Sequence, residues 1–220
     1  MNLLRKFTTL LFLFLCSNNP LCASADVTGS HSFDFLIGEW NVHHRYLRIQ
    51  GEKKEWAEAV GTCSNHQLME GVANLDECTM NAPSGSYKAI ALRAFDVKAK
   101  QWAIWWLDGR YPAGPLDPPL KGSFENGVGT FFSEYLEKEK PMRMRFIWSK
   151  ITPSAAHWEQ AISSDNGKTW ETNWIMEFQR NSSSQDSAEI TKVSNSSSPN
   201  DFDFLVGEWQ VHHHRFQPES

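Results

Sequence analysis

Histidine is the residue type best equipped for chemistry in this chain, and it is clustered. His43-His44 is followed by Arg45 and Tyr46, and His212-His213-His214 by Arg215. On an extended strand alternate side chains share a face, so Trp40, Val42, His44 and Tyr46 point one way and His43 and Arg45 the other. If the Trp40 face is the inner one, His44 stands inside the fold. Three readings of it are open there: a core histidine hydrogen-bonded to a neighbour such as Tyr46, a ligand for haem iron or a metal, or an acid–base group paired with an inward carboxylate. His212 and His214 would share a face if that stretch is extended, a pair able to take up a metal adventitiously.

Other catalytic signatures are missing. The sequence has no Gly-x-Ser-x-Gly elbow, phosphate-binding loop, dinucleotide-binding glycine pattern or zinc-ligand spacing. Glu39, Glu134, Glu159 and Glu177 are available carboxylates, but sequence alone does not set two of them at the separation glycoside hydrolysis needs. No catalytic residue, metal site or cofactor is therefore assigned. The aromatic content says more. Ten tryptophans are many for 220 residues, and an apolar, aromatic interior with a few polar groups is the composition of a small-molecule site. The candidate lining residues are His44, Tyr46, Trp102, Trp106, Met144, Trp158, Trp174 and Met176, with Phe178 beside them. A solid core filled by the same side chains is the alternative.

The elements that must position these residues are strands. Across 33–180 apolar and polar residues alternate at period two. Met142, Met144, Phe146 and Trp148 alternate with Arg143, Arg145 and Ile147; Trp170, Thr172, Trp174, Met176 and Phe178 alternate with Glu171, Asn173, Ile175 and Glu177. Turn residues punctuate the runs at 82–85, 108–109, 125–127 and 165–167. No long helical periodicity interrupts them, so an antiparallel sandwich or barrel is expected, and a barrel leaves no open edge. Residues 108–122, DGRYPAGPLDPPLKG, break the alternation with a stiff connection that is either a lid or a crossover covering one end.

The ends of the chain read differently. In 1–25, Arg5 and Lys6 precede an apolar run too short to anchor in a bilayer, and Ala23-Ser24-Ala25 fits a signal-peptidase site, so export to a periplasm or the outside is expected. Losing that segment removes two bases and no acid, taking the formal charge from −5 to −7. Such an acidic chain is not suited to nucleic acid or anionic membranes. Residues 26–32 are a short leader. Residues 181–200 are Ser- and Asn-rich with sequons at Asn181 and Asn195, a flexible linker by composition. Residues 201–220 repeat the opening: Phe33-Asp34-Phe35-Leu36 and Gly38-Glu39-Trp40 recur at a constant offset of 169, from Phe202 to Trp209. The repeat is expected to be the first strand of an incomplete second barrel, loosely placed, in a chain cut from a two-barrel protein.

Two cysteines remain after processing, Cys63 and Cys78. A hairpin turning at Glu70-Gly71 places them opposite each other. They are either a disulfide, which an export compartment permits, or two small buried apolar residues.

In Phe33-Asp34-Phe35-Leu36-Ile37-Gly38-Glu39-Trp40, Gly38 turns the chain from a lead-in to a strand, and Trp40 closes one end of the barrel. Arg180 ends the last strand, where pairing of first and last strands would stack it on Trp40. This arrangement resembles the lipocalin-like (calycin) superfamily. More closely, FDFLIGEWNVHHR at 33–45, LDGRYP at 107–112, LDPPLKGSF at 116–124 and HWEQAISSDNGKTWETNWIMEFQR at 157–180 resemble an exported, mainly bacterial family of unknown function. The resemblance implies a lipocalin-like barrel and little about chemistry. Nitrobindin, another lipocalin-like barrel, holds haem through a histidine, which by analogy keeps haem on His44 as an option. Ser163 to Trp170, SSDNGKTW, is similar to the Asp-box hairpin of sialidases, a folding motif in which Asp165 caps the turn, Gly167 takes positive φ and Trp170 packs beneath.

Together these features predict an all-β, antiparallel lipocalin-like barrel with a linker and an orphan strand. The predicted function is binding of a small hydrophobic or aromatic molecule. A small-molecule enzyme, or a solid-cored protein-interaction module, is the alternative.

Overall fold

A computed structural model describes residues 29–82 and 85–181. The segment expected to be a signal, 1–25, the start of the expected leader, the expected linker beyond 181 and the repeat at 201–220 lie outside the described residues. Among those described, no helix is long and apolar enough to cross a membrane.

Among the described residues, ten strands follow a 310 turn at Asp34–Leu36, with a second such turn at Met69–Gly71 after β2: β1 (Gly38–Gln50), β2 (Lys53–Leu68), β3 (Ala73–Ala82), β4 (Gly85–Asp96), β5 (Gln101–Asp108), β6 (Leu120–Glu125), β7 (Val128–Glu137), β8 (Lys140–Ser149), β9 (Ala155–Ser163) and β10 (Glu171–Arg180). Each pairs antiparallel with its chain neighbour, and β1 pairs with β10 to close the barrel. This is a closed, up-and-down antiparallel barrel. The period-two pattern drives it: in β9, Ala156 and Trp158 are buried on the inner face while His157 and Glu159 alternate outward.

One end of the barrel is solid. The 310 turn pushes Phe33 and Leu36 into it, both 0% exposed. The Phe33 ring meets Trp102 edge-on at 5.0 Å, Phe124 at 4.9 Å and Phe131 at 5.5 Å. Trp40 Nε1 donates to Leu36 O at 2.6 Å, so its polar tip is satisfied where its ring is buried. Trp40 faces Arg180 across the β1–β10 seam, and the guanidinium lies 3.9 Å from the ring centroid. Arg180 also donates from Nη1 to Ile37 O and from Nη2 to Phe35 O, the latter at 2.8 Å. One arginine thus ties the last strand to the lead-in. Gly38 has φ +104°, and a Cβ there would stand 3.0 Å from Arg180 Nη1. Both the turn and the clamp need glycine.

Cys63 and Cys78 lie opposite each other on β2 and β3 and are joined by a disulfide. The intervening hairpin turns at Met69–Gly71. Both cysteines are buried in the core.

Candidate functional site

Above the solid end the barrel is hollow. A cavity of about 210 Å³ occupies the interior. Its walls are Trp106 from β5, Met144 and Phe146 from β8, Trp158 from β9, and Trp174 and Met176 from β10. The rings brace one another: Phe146 and Trp158 at 4.7 Å, Trp158 and Trp174 edge-on at 5.2 Å, Trp106 and Trp174 edge-on at 5.7 Å. A surface built this way presents fixed aromatic faces and edges rather than mobile alkyl chains.

The Pro-rich connection is part of the wall. β5 and β6 pair only over Trp102–Ile104 against Leu120–Gly122, so the far end of β5 has no β6 partner. Asp117 and Pro118 line the cavity on that side, together with Ser133 and Tyr135 of β7. Ser133 Oγ donates to Pro118 O at 3.2 Å.

The base of the cavity is charged. Asp76 and Arg93 line it, with side chains 4% and 5% exposed. Arg93 Nη2 donates to Asp76 Oδ2 at 2.5 Å and Nη1 to Asn74 Oδ1 at 3.0 Å, while Asn65 Nδ2 donates to Asp76 Oδ1 at 2.5 Å. The sequence reading missed this group, although a signal was present. Asn65 stands two residues from Cys63, and Asp76 and Asn74 two and four from Cys78. If the cysteines face inward, so must they.

Six of the residues expected from sequence to line a cavity do so: Trp106, Met144, Trp158, Trp174, Met176 and Phe178. Three do not. Trp102 belongs to the solid end, packed on Phe33 and Phe95, with Nε1 donating to Gly29 O at 3.0 Å. It shares the inner face with Trp106 but sits lower, where the lead-in fills the space. Tyr46 stacks on His44 with ring centroids 5.7 Å apart and sends its hydroxyl to Met80 Sδ at 3.7 Å. Burial raises its pKa. His44 is 0% exposed and accepts from Trp174 Nε1 at its Nδ1, at 3.3 Å. The cavity meets Trp174, and His44 and Tyr46 pack against it from outside the cavity lining.

That placement decides what His44 can do. With Nδ1 accepting, the neutral ring carries its proton on Nε2, which is buried and has no partner among the described residues. Nε2 faces Gly61, where even one added carbon would stand 2.9 Å away. An iron atom does not fit there, so the residues present do not suit haem ligation by His44. Burial lowers the His44 pKa to about 4, with His43 adding to the effect. Its partner is an indole, not the carboxylate an acid–base pair requires. Among the described residues no group of three or more His, Cys, Asp or Glu is arranged to hold a metal.

The carboxylates named from sequence lie away from the cavity lining. Glu39 accepts from Ser64 Oγ at 2.5 Å, and Glu134 lies 3.4 Å from Arg143 Nε. Glu159 and Glu177 flank His157, at 3.7 and 2.7 Å. The 163–170 hairpin is organised around Asp165, which accepts from Ser163 Oγ at 2.8 Å, Thr169 N at 2.9 Å and Thr169 Oγ1 at 2.6 Å. Those bonds, with Thr169 foremost, hold the Asp165 pKa down to about 2. Gly167 has φ +84°, and Trp170 Nε1 donates to its carbonyl at 3.1 Å.

No protein-family profile matches the chain, and no curated protein does. Solved structures do, among them the S-type phycobiliprotein lyase CPES from Guillardia theta. That match has 10% identity and a TM-score of 0.46, and it covers 69% of this chain and 91% of that one.

Proposed function

We propose that this protein is an exported binding module that holds a small apolar or aromatic molecule in the hollow half of its barrel. The observation that carries the reading is the cavity itself: about 210 Å³, walled by braced indole, phenyl and thioether groups over a small polar base. Protein interiors are normally packed without voids of this size. Export is supported by the composition of 1–25 and by the Cys63–Cys78 disulfide, which an oxidising compartment sustains.

The test fills the space. Ala91 lines the cavity between Asp76 on β3 and Trp106 on β5. Ala91→Leu adds three carbons where there is room, so its stability should stay within about 1 kcal/mol of wild type. Affinity for a bound aromatic probe, 2-acetonaphthone measured by calorimetry, should fall at least tenfold. Undiminished binding would place the probe elsewhere and sink the reading.

A further inference from the structure

One part of the cavity wall is not sheet. All of its lining residues lie on strands except Asp117 and Pro118. Those two belong to the Pro-rich connection, which stands where a strand is missing. β6 begins at Leu120, opposite Ile104, so β5 has no β6 partner beyond Ile104 and β7 has none beyond Phe132. Two strands with the one between them absent stand about 10 Å apart, twice the ordinary spacing. Residues 111–119 cover that slot as a strap. Its two ends are fixed. Arg110 is paired with Asp108 and lies 4.1 Å from the Tyr87 ring, and Leu120 is buried.

Between those ends little holds the strap down. Pro112, Pro115, Pro118 and Pro119 have no N–H to give to a ladder. Among the described residues, the backbone of 112–119 makes one backbone hydrogen bond, from Gly114 N to Tyr111 O, and it stays within the strap. The bond to β7 comes from the Ser133 hydroxyl, which donates to Pro118 O at 3.2 Å. Residues 111–118 are exposed, Tyr111 by 74% and Leu116 by 56%. Few buried apolar contacts and few backbone bonds are the marks of a segment that opens locally while the rest stays folded. Its prolines keep it stiff, so it lifts as a piece. The rest of the wall is continuous hydrogen-bonded sheet. Along the barrel axis, Tyr46, Trp174 and Trp106 form a row of touching rings from β1 to β5, at 5.1 and 5.7 Å, which narrows that route. Resting on the cavity reading above, we infer that residues 111–119 are a side gate, and that an apolar ligand enters and leaves between β5 and β7 when the strap lifts off Ser133.

Exchange kinetics on the full chain test the gate, through stopped-flow quenching of tryptophan fluorescence by 2-acetonaphthone. A gate sets the rates of entry and exit together. Ser133→Cys with Pro118→Cys, joined by a short bis-thiol-reactive linker and confirmed by peptide mapping, holds the strap shut. Both rate constants should then fall on the order of tenfold against the same double variant before joining. Pro115→Gly softens the strap at a residue outside the cavity lining, and both rate constants should rise about threefold. Exchange as fast in the joined chain as in the unjoined one means an axial mouth, and it overturns the gate while the cavity reading stands. Should the joint not form, Pro115→Gly decides alone, and unchanged rate constants there overturn the gate. Absence of 2-acetonaphthone binding to the wild-type chain overturns both.

Discussion

Trp102 and Trp106 stand four residues apart on β5, on the same inner face of the same strand, yet in different surroundings. Trp102 is enclosed by Phe33, Phe95 and the Gly29 carbonyl; Trp106 is half-buried and looks into open space. The two halves of the barrel use the same alternation and the same residue types. What separates them is a short stretch outside the strands. The lead-in drives Phe33 and Leu36 into one end, and the Trp40–Arg180 clamp holds it there. Among the described residues no equivalent plug enters the other end, where the Pro-rich connection forms side wall rather than filling. An aromatic interior becomes a core or a binding site according to whether something is inserted between its rings.

The sharpest way to break that contrast is to truncate both indoles. Trp102→Ala should destabilise the fold by about 3–5 kcal/mol in urea denaturation, because it leaves a void among packed rings. Trp106→Ala should lose less than about 2 kcal/mol, since one of its sides is already unpacked, and should instead weaken 2-acetonaphthone binding. Equal losses of stability would mean the hollow half is no less packed than the solid one.

Acid should act next on the hollow half, through His44. Its folded-state pKa, about 4, lies below the ordinary 6.5. The folded protein therefore binds this proton less readily than the unfolded chain. Stability from this group is complete above about pH 6.5, declines as pH falls, and is fully lost below about pH 4, a total of about 3 kcal/mol. His44→Gln should flatten that part of the urea-midpoint profile. An unchanged slope in the variant would show that His44 is not the responsible group.

The smallest effect is expected at the exposed 163–170 hairpin. Asp165 is held near pKa 2 against an ordinary 3.8, so its contribution is present above about pH 4 and disappears as pH drops through 2. Asp165→Asn should be modestly less stable than wild type at pH 7, with the difference closing between pH 4 and pH 2. A constant difference over that range would remove the ionised carboxylate as the cause.

Much of the molecule was legible in the sequence. Period-two alternation from β1 to β10 predicted an antiparallel sandwich or barrel because each strand has one wet and one dry face, and the resemblance narrowed this to a barrel. Met142 to Trp148, Trp158, and Trp174 to Phe178 thereby had their inward members identified. The same alternation put Trp170 and Thr172 on that face, but a register shift between Thr172 and Trp174 breaks it, and Trp170 packs with Phe132 and Arg145 instead. The 163–170 hairpin was readable because its bonds are local, within seven residues. The polar base of the cavity was not read, since a buried Arg and Asp resemble surface residues until the inward direction of Cys63 and Cys78 is fixed.

The sequence by itself determined the strands and the sense of most of their faces, which depend on backbone geometry and neighbours close in the chain. Tertiary structure alone decided height and depth. Period two assigns His44, Tyr46, Trp102 and Trp106 to the same interior, but only packing places Trp102 against the plug, sets His44 and Tyr46 against Trp174, and leaves Trp106 facing a void. Those outcomes depend on side chains from strands far apart in sequence competing for one volume, and no local pattern records which of them fills it.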